Sequence, residues 1–394
     1  MRAVLTILAI WLAGLGAAAQ FGKISILYGD LERQYAGAGS VGIGLMVSTV
    51  GIVGLIFGTS AGLLVTRIGP RRAILAALVL GAMVSLVQSA LPPYPVMMAT
   101  RVLEGVSHLA IVVVGPTVIA TAAPKHLQSL AMTLWSSFFG LTYALLAWFA
   151  PALVAAAGTA ALFQVHAVWM LGCLALLWRL MQMDPLAKVA QGSAGFLAQH
   201  LAIYASPSIA APAMGFVCYT VTYVALLTLL PAVVTPGWGG FIAVAMPLVS
   251  IGVSLTLGVW LLSRIAAVHL VQAGFALGIV GSLALWLFWG QGAPEAAAAL
   301  VLAAAVGVVQ GASFAALAQL NPAAEDRARG AGAIAQLGNL GTTAGTPVLA
   351  LILAKAGVGG LTGFLVFVFA LGIGIHALQA RRRRDCPQRL AIAG

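Results

Sequence analysis

Charge is scarce in this 394-residue chain: 7% of residues are charged, and only eight of them are acidic against 19 basic. Soluble domains carry about 25% charged residues. A water-soluble globule is therefore excluded, in keeping with 62% hydrophobic content and a mean hydropathy of +1.08. Cysteine is nearly missing too. Cys173 and Cys218 fall in apolar stretches and Cys386 in the C-terminal tail, so no disulfide or zinc framework can be read. Met214 and Cys218, four residues apart, could meet a soft metal, but core packing is the commoner use of such a pair. No Gly-rich loop ending in Gly-Lys-Ser or Gly-Lys-Thr is present, which argues against direct ATP drive. No soluble segment sets a nucleophile beside a base, so the sequence does not read as an enzyme, and it implies no cofactor or metal.

What the chain has in abundance is apolar length. Twelve stretches begin near residues 3, 41, 72, 96, 128, 162, 209, 240, 267, 294, 328 and 358, each near the roughly 20 residues that cross a hydrocarbon core about 30 Å thick. They are rich in Leu and Ala and do not alternate apolar with polar, so helices are expected rather than a β-barrel. The fold class is thus all-α integral membrane with twelve spans, called here helices 1 to 12. With the N-terminus inside, 15 of the 19 basic residues fall on the cytoplasmic side. Both termini are then expected in the cytoplasm of a cell whose inner or plasma membrane holds the protein. The net charge of +11 is spread over these loops rather than gathered on one soluble face, which excludes nucleic acid as a partner. The run Arg381 to Arg384 fits a contact with anionic lipid headgroups.

The N-terminus resembles a secretory signal: Arg2, an apolar run to Leu15, then Ala17-Ala18-Ala19. An internal repeat argues for keeping it as helix 1. Thr66-Arg67-Ile68 recurs as Ser263-Arg264-Ile265, 197 residues on; Leu103-Glu104-Gly105-Val106-Ser107 echoes in Val309-Gln310-Gly311-Ala312-Ser313, 206 on; Pro151 matches Pro347, 196 on. Similar offsets in corresponding helices indicate two pseudo-symmetric bundles of six. The expected division is 1–182 and 209–394, joined by a polar linker at 183–208 that has room for a short interfacial helix.

The joint between helices 2 and 3 reads Gly62-Leu63-Leu64-Val65-Thr66-Arg67-Ile68-Gly69-Pro70-Arg71-Arg72, and helix 4 holds Arg101-Val102-Leu103-Glu104-Gly105. Both resemble signatures of the major facilitator superfamily of secondary transporters: a loop of Gly, three residues, Asp, Arg, one residue, Gly and a basic cluster, and an Arg-x-x-x-Gly motif in helix 4. The resemblance implies a carrier working by alternating access, with Gly62, Thr66, Arg67, Gly69, Arg71 and Arg72 forming a cytoplasmic gate. Thr66 replaces the family's usual Asp, which weakens a carboxylate gate to a hydroxyl contact. Helix 5 reads Leu146-Ala147-Trp148-Phe149-Ala150-Pro151 and lacks the Gly-x-x-x-Gly-Pro of typical proton-coupled drug exporters.

Ionisable groups inside a membrane are costly and mark function. Arg101, Glu104 and His108 stand at i, i+3 and i+7, on one stripe of helix 4. In a low-dielectric cleft such a set can hold an anion, exchange a proton, or couple the two; the bland alternative is an Arg101–Glu104 pair that only steadies the helix. Lys23 and Gln20 lie late in helix 1, where snorkelling to the outer surface is the expected role of the lysine. His166 reads as a hydrogen-bonded packing residue. In the second half embedded charge is expected to vanish in favour of neutral groups: Tyr219, Thr220, Thr222 and Tyr223 on helix 7, Gln310 on helix 10, Gln336 and Asn339 on helix 11. These are expected to touch substrate or neighbouring helices. The resemblance and these residues together imply a monomeric carrier of a small organic solute with negative or partial negative charge, driven by protons. Efflux of neutral or cationic hydrophobic compounds is one alternative, and a transport-dead sensor or assembly factor another.

Overall fold

A computed structural model describes residues 2–58, 60–124, 128–181 and 196–385, so 183–195 of the expected linker lie outside the described residues. Helix 1 is Arg2–Ile26. Helix 2 is broken into Gly39–Ser48, Gly51–Phe57 and Ala61–Ile68, with a 51° bend between the first two pieces. Helix 3 is Pro70–Ser89, helix 4 Tyr94–Ala122, helix 5 Gln128–Ser136 with Phe138–Ala157, and helix 6 Thr159–Leu180. A short helix, Phe196–Ala205, precedes helix 7 at Ala210–Val233. Helix 8 runs Gly239–Leu262, helix 9 Ala267–Leu287 and helix 10 Ala293–Leu320. Helices 11 and 12 share one run, Ala324–Asp385, folded at Gly357, whose φ of +56° suits a residue without a side chain.

By length and composition, ten helices pass as spans; the bent helix 2 makes an eleventh, and the fold at Gly357 separates the twelfth. No strand occurs among the described residues. Helix starts agree with the apolar pattern because prolines sit in the first turns of helices 3, 4 and 10, where a missing N–H costs nothing. Pro116, Pro151, Pro231, Pro247 and Pro347 stand inside spans, positions that membrane helices tolerate more readily than soluble ones. Ser254–Gly258 of helix 8 forms a π-helical stretch that no sequence signal announced.

Helix 1 packs on helices 4, 5 and 6, and helix 7 packs on helices 10, 11 and 12. Contact between the first six spans and the last six comes chiefly from helix 2 on helix 11 and helix 5 on helix 8. The first of these is an antiparallel glycine seam. A Cβ on Gly44 would stand 2.8 Å from the Pro347 Cα, one on Gly51 2.3 Å from the Thr343 hydroxyl, and one on Gly54 2.3 Å from the Asn339 amide. Small residues let the two backbones meet where no hydrophobic force acts between helices.

Candidate functional site

Helix 2 also borders a polar cluster walled by helices 1, 2, 3, 4 and 6. Its centre is Glu104, whose Oε1 accepts from Lys23 Nζ at 2.5 Å and whose Oε2 accepts from Arg101 Nη1 and, at 3.0 Å, from Gln88 Nε2. Lys23 Nζ also reaches Ser85 Oγ at 2.7 Å and His166 Nδ1 at 3.2 Å, and lies over the Phe163 ring at 5.3 Å. Lys23, Arg101 and Glu104 are all fully buried.

The helix 4 motif has a local cause. Arg101 and Gly105 share the face pressed on helix 2, and a Cβ on Gly105 would stand 2.5 Å from the Val50 carbonyl. That closeness lets Arg101 donate to the carbonyls of Met46 at 2.7 Å and Val47 at 3.3 Å, in the last turn before helix 2 breaks, where carbonyls lack helical partners. The remaining guanidinium contact is with the Gln20 carbonyl at 2.7 Å. From other helices, helix 1 accepts four more side-chain donors along its backbone: Trp169 at Leu12, Thr142 at Leu15, His166 at Gly16 and His108 at Ala17. Small residues mark this stretch: a Cβ on Gly16 would stand 3.1 Å from the Trp169 ring, and Ala17, Ala18 and Ala19 are all buried.

The stripe expected on helix 4 is therefore present, since Arg101, Glu104 and His108 are buried while Val102, Leu103 and Val106 are exposed. His108 stands apart from the ion pair, bonding Ala17 and meeting the Phe21 ring edge-on at 5.1 Å. Gln20 bonds Ser107 at 3.0 Å. Two expectations are corrected. Lys23 does not snorkel, because helices 3, 4 and 6 close over the end of helix 1 and supply three acceptors. Rather than opening onto a cleft, the cluster is shut inside the bundle, with every Arg101 nitrogen engaged by protein.

A second layer lies between the two sets of six spans. Phe21, Phe139 and Tyr143 form a row of ring contacts on one side, and Phe216, Tyr219 and Tyr223 form another on the other; the Phe139–Tyr143 and Tyr219–Tyr223 pairs are stacked. A Cβ on Gly140 would stand 3.2 Å from the Tyr223 hydroxyl, so the aromatic rows meet at helix 5. Ser25 of helix 1 links them further, its hydroxyl 3.0 Å from that of Tyr143 and 2.9 Å from that of Thr228. Thr220 and Thr222 bond their own helix. Gln336 and Asn339 sit in the glycine seam: Gln336 donates to the Leu55 carbonyl at 3.1 Å and accepts from Tyr204 at 2.8 Å. Gln310 is half-buried on helix 10.

At the helix 2–3 joint, Gly69 takes φ +90°, a conformation open to glycine, and ends one helix while Pro70 starts the next. Arg71 donates to the Met181 and Trp178 carbonyls and stacks on the Trp178 ring at 4.9 Å, tying the joint to helix 6. Arg67 and Arg72 are exposed; the side chains of Gly62's neighbour Leu63 and of Thr66 lie outside the described residues. The expected loss of charge in the second half is also corrected. Glu295, in the first turn of helix 10, is fully buried, with Oε2 accepting from the Thr235 backbone at 3.1 Å and from its hydroxyl. His376 is fully buried on helix 12. Glu295 was missed because an acidic residue in a first turn reads as an exposed cap.

A twelve-span bundle with buried charge among its helices is the architecture of a secondary transporter, in which binding groups sit at mid-membrane between helices. The chain belongs to the Major Facilitator Superfamily, whose family profile matches residues 6–346. In fold it is similar to the Escherichia coli fucose:proton symporter FucP, solved as an asparagine-to-alanine variant, with a TM-score of 0.68, 15% identity, and coverage of 95% of this chain and 98% of that one. No curated protein matches the chain in sequence.

Proposed function

We propose that the protein carries a small organic solute with negative or partial negative charge across the inner or plasma membrane by alternating access, coupled to protons, with both termini in the cytoplasm. The observation that carries this reading is the cluster of Lys23, Arg101 and Glu104, two cations and one carboxylate closed off from water. Structural cores avoid buried ions, which are costly to desolvate. An uneven set of three on moving helices is suited to exchanging a proton or an anion as the halves part. The division into residues 1–182 and 209–394 fits rocking about the helix 2–11 and helix 5–8 contacts, with the aromatic layer between them as the solute's seat.

The aromatic layer also favours a second reading, carriage of neutral or cationic hydrophobic compounds, since ring faces hold both. One experiment separates the two. Purified protein is screened by thermal shift against small carboxylates, polyols and hydrophobic amines, and stabilising compounds are assayed for flux into liposomes with and without a pH gradient. Uptake of a carboxylate that follows the gradient and collapses with a protonophore is expected. Flux of hydrophobic amines alone, indifferent to the gradient, would remove the proposal.

A further inference from the structure

We infer that Lys23, rather than Glu104, is the group that releases and takes up the coupling proton, an inference resting on the proton-coupled reading above. Charge counting within a sealed pocket carries it. Ionised Glu104 contributes −1 and Lys23 and Arg101 +1 each, so the fully buried cluster holds a surplus positive charge. Arginine keeps its proton in proteins. Protonating Glu104 would strand two cations beside a neutral acid, and protonating His166 would add a third cation; both raise the buried charge. Loss of one proton from Lys23 is the single change that brings the cluster to neutrality while leaving the Arg101–Glu104 pair whole.

The neighbours of Lys23 are arranged for that change. The charged and titratable groups facing it are Glu104 and Arg101 from helix 4 and His166 from helix 6. Helix 4 also carries His108, which is turned to the Ala17 carbonyl, and helix 5 presents Tyr143, which bonds Ser25. Helix 7 offers Tyr219 and Tyr223, stacked on each other. In the short Tyr28–Gln34 helix that follows helix 1, Asp30 and Arg33 pair with each other, and Glu32 stands on the same segment. Neither the helix 2 segments nor helix 3 presents a titratable group here, but helix 3 supplies Ser85.

The His166 Nε2 lies 2.9 Å from the Gly16 carbonyl, which can only accept, so the neutral ring carries its hydrogen on Nε2 and leaves Nδ1 as an acceptor. Ser85 Oγ lies 2.7 Å from Lys23 Nζ and 2.6 Å from that Nδ1. In the step, one N–H bond of the Lys23 ammonium breaks and its electron pair stays on Nζ. The proton passes to Nδ1 directly or through the Ser85 hydroxyl, and from the imidazolium to water once the halves part; the return step reverses this. Because the Ser85 hydroxyl both donates and accepts, it bonds the amine as well as the ammonium.

The chain has four lysines, Lys23, Lys125, Lys188 and Lys355. Replacing the last three by arginine leaves the cluster untouched and Lys23 as the sole source of lysine side-chain nitrogen signal. The triple variant, labelled with 15N-lysine in lipid nanodiscs without solute, is followed by 15N NMR from about pH 5 to about pH 9, a window in which a free lysine stays an ammonium. The expected result is loss of the ammonium signal and growth of an amine signal, with no carboxylic-acid infrared band appearing in step. An ammonium signal unchanged through the window, or a carboxylic-acid band that rises as pH falls and is lost in Glu104→Gln, overturns the inference. Proton-driven flux with an invariant Lys23 signal would sink this inference alone. A titrating Lys23 in a protein without proton-driven flux would remove the coupled-carrier reading and leave the assignment of the titrating group.

Discussion

The first six spans and the last six each bury a carboxylate, and the two are held in opposite ways. Glu104 sits between a lysine and an arginine, its charge matched and exceeded by partners on helices 1 and 4. Among the described residues no cation is bonded to Glu295, which is held by the N–H and hydroxyl of Thr235 at the N-terminal end of helix 10, where the helix dipole favours negative charge. The first arrangement gathers ions from two helices; the second ties the start of helix 10 to the Thr235 loop end. The buried polar groups of the first region thus centre on ions, and those of the second on hydroxyls, amides and rings.

The largest test of that contrast neutralises each acid in turn. Glu104→Gln leaves Lys23 and Arg101 buried without a counter-ion, and breaking a buried pair in this way costs about 3 to 5 kcal/mol. A sharp fall in thermal midpoint and yield in detergent is expected, together with loss of flux. Glu295→Gln strands no cation and keeps a carbonyl oxygen for Thr235, so the expected cost is about 1 kcal/mol with flux retained. Equal costs at the two sites would mean that the Lys23–Glu104–Arg101 set is held no more tightly than an ordinary hydrogen-bonded acid.

A smaller effect comes from the same change made at two glycines. A Cβ on Gly307 would stand 2.2 Å from the Ser250 carbonyl, helix 10 against helix 8 within the second region, whereas one on Gly44 meets the Pro347 backbone across the seam. Overpacking costs about 1 to 3 kcal/mol. For Gly307→Ala that cost is expected as lowered thermal stability. Under the proposed alternating access, for Gly44→Ala it falls on a contact that opens, so the expected outcome is a near-normal midpoint with wider helix 2–11 distances by spin-label spectroscopy. Matching thermal losses in both variants would mean the seam does not open.

Much of this was legible in the sequence for physical reasons. Twelve spans follow from apolar length, and the buried stripe of helix 4 from the spacing of Arg101, Glu104 and His108. What periodicity could not give was partnership across helices. Lys23 reads as a snorkelling residue from its place near a helix end, and its burial depends on Ser85 and His166, 62 and 143 residues away in sequence. Gln336 and Asn339 read equally as substrate contacts or as helix-to-helix contacts because they are polar in an apolar span; that they meet helix 2 through its glycines depends on which helix lies opposite. The break in helix 2 that frees the Met46 and Val47 carbonyls carries no proline to announce it.

The smallest expected effect concerns the hydroxyls joining the regions. Ser25 on helix 1 lies within 3.0 Å of both Tyr143 on helix 5 and Thr228 on helix 7. The Tyr143 contact stays within the first region, and the Thr228 contact crosses to the second. Each hydrogen bond is worth about 0.5 to 1.5 kcal/mol. Tyr143→Phe is expected to lower thermal stability by that amount and leave the helix 1–7 distance unchanged. Thr228→Val keeps shape and its helix, so its loss should appear as a shift toward conformers in which helices 1 and 7 separate, with little change in midpoint. A double-mutant cycle between Ser25→Ala and Thr228→Val, read by spin-label distance, should show coupling that vanishes when the halves part. Coupling that persists in every conformer would mean this contact belongs to the static framework, and the moving boundary would have to be drawn elsewhere.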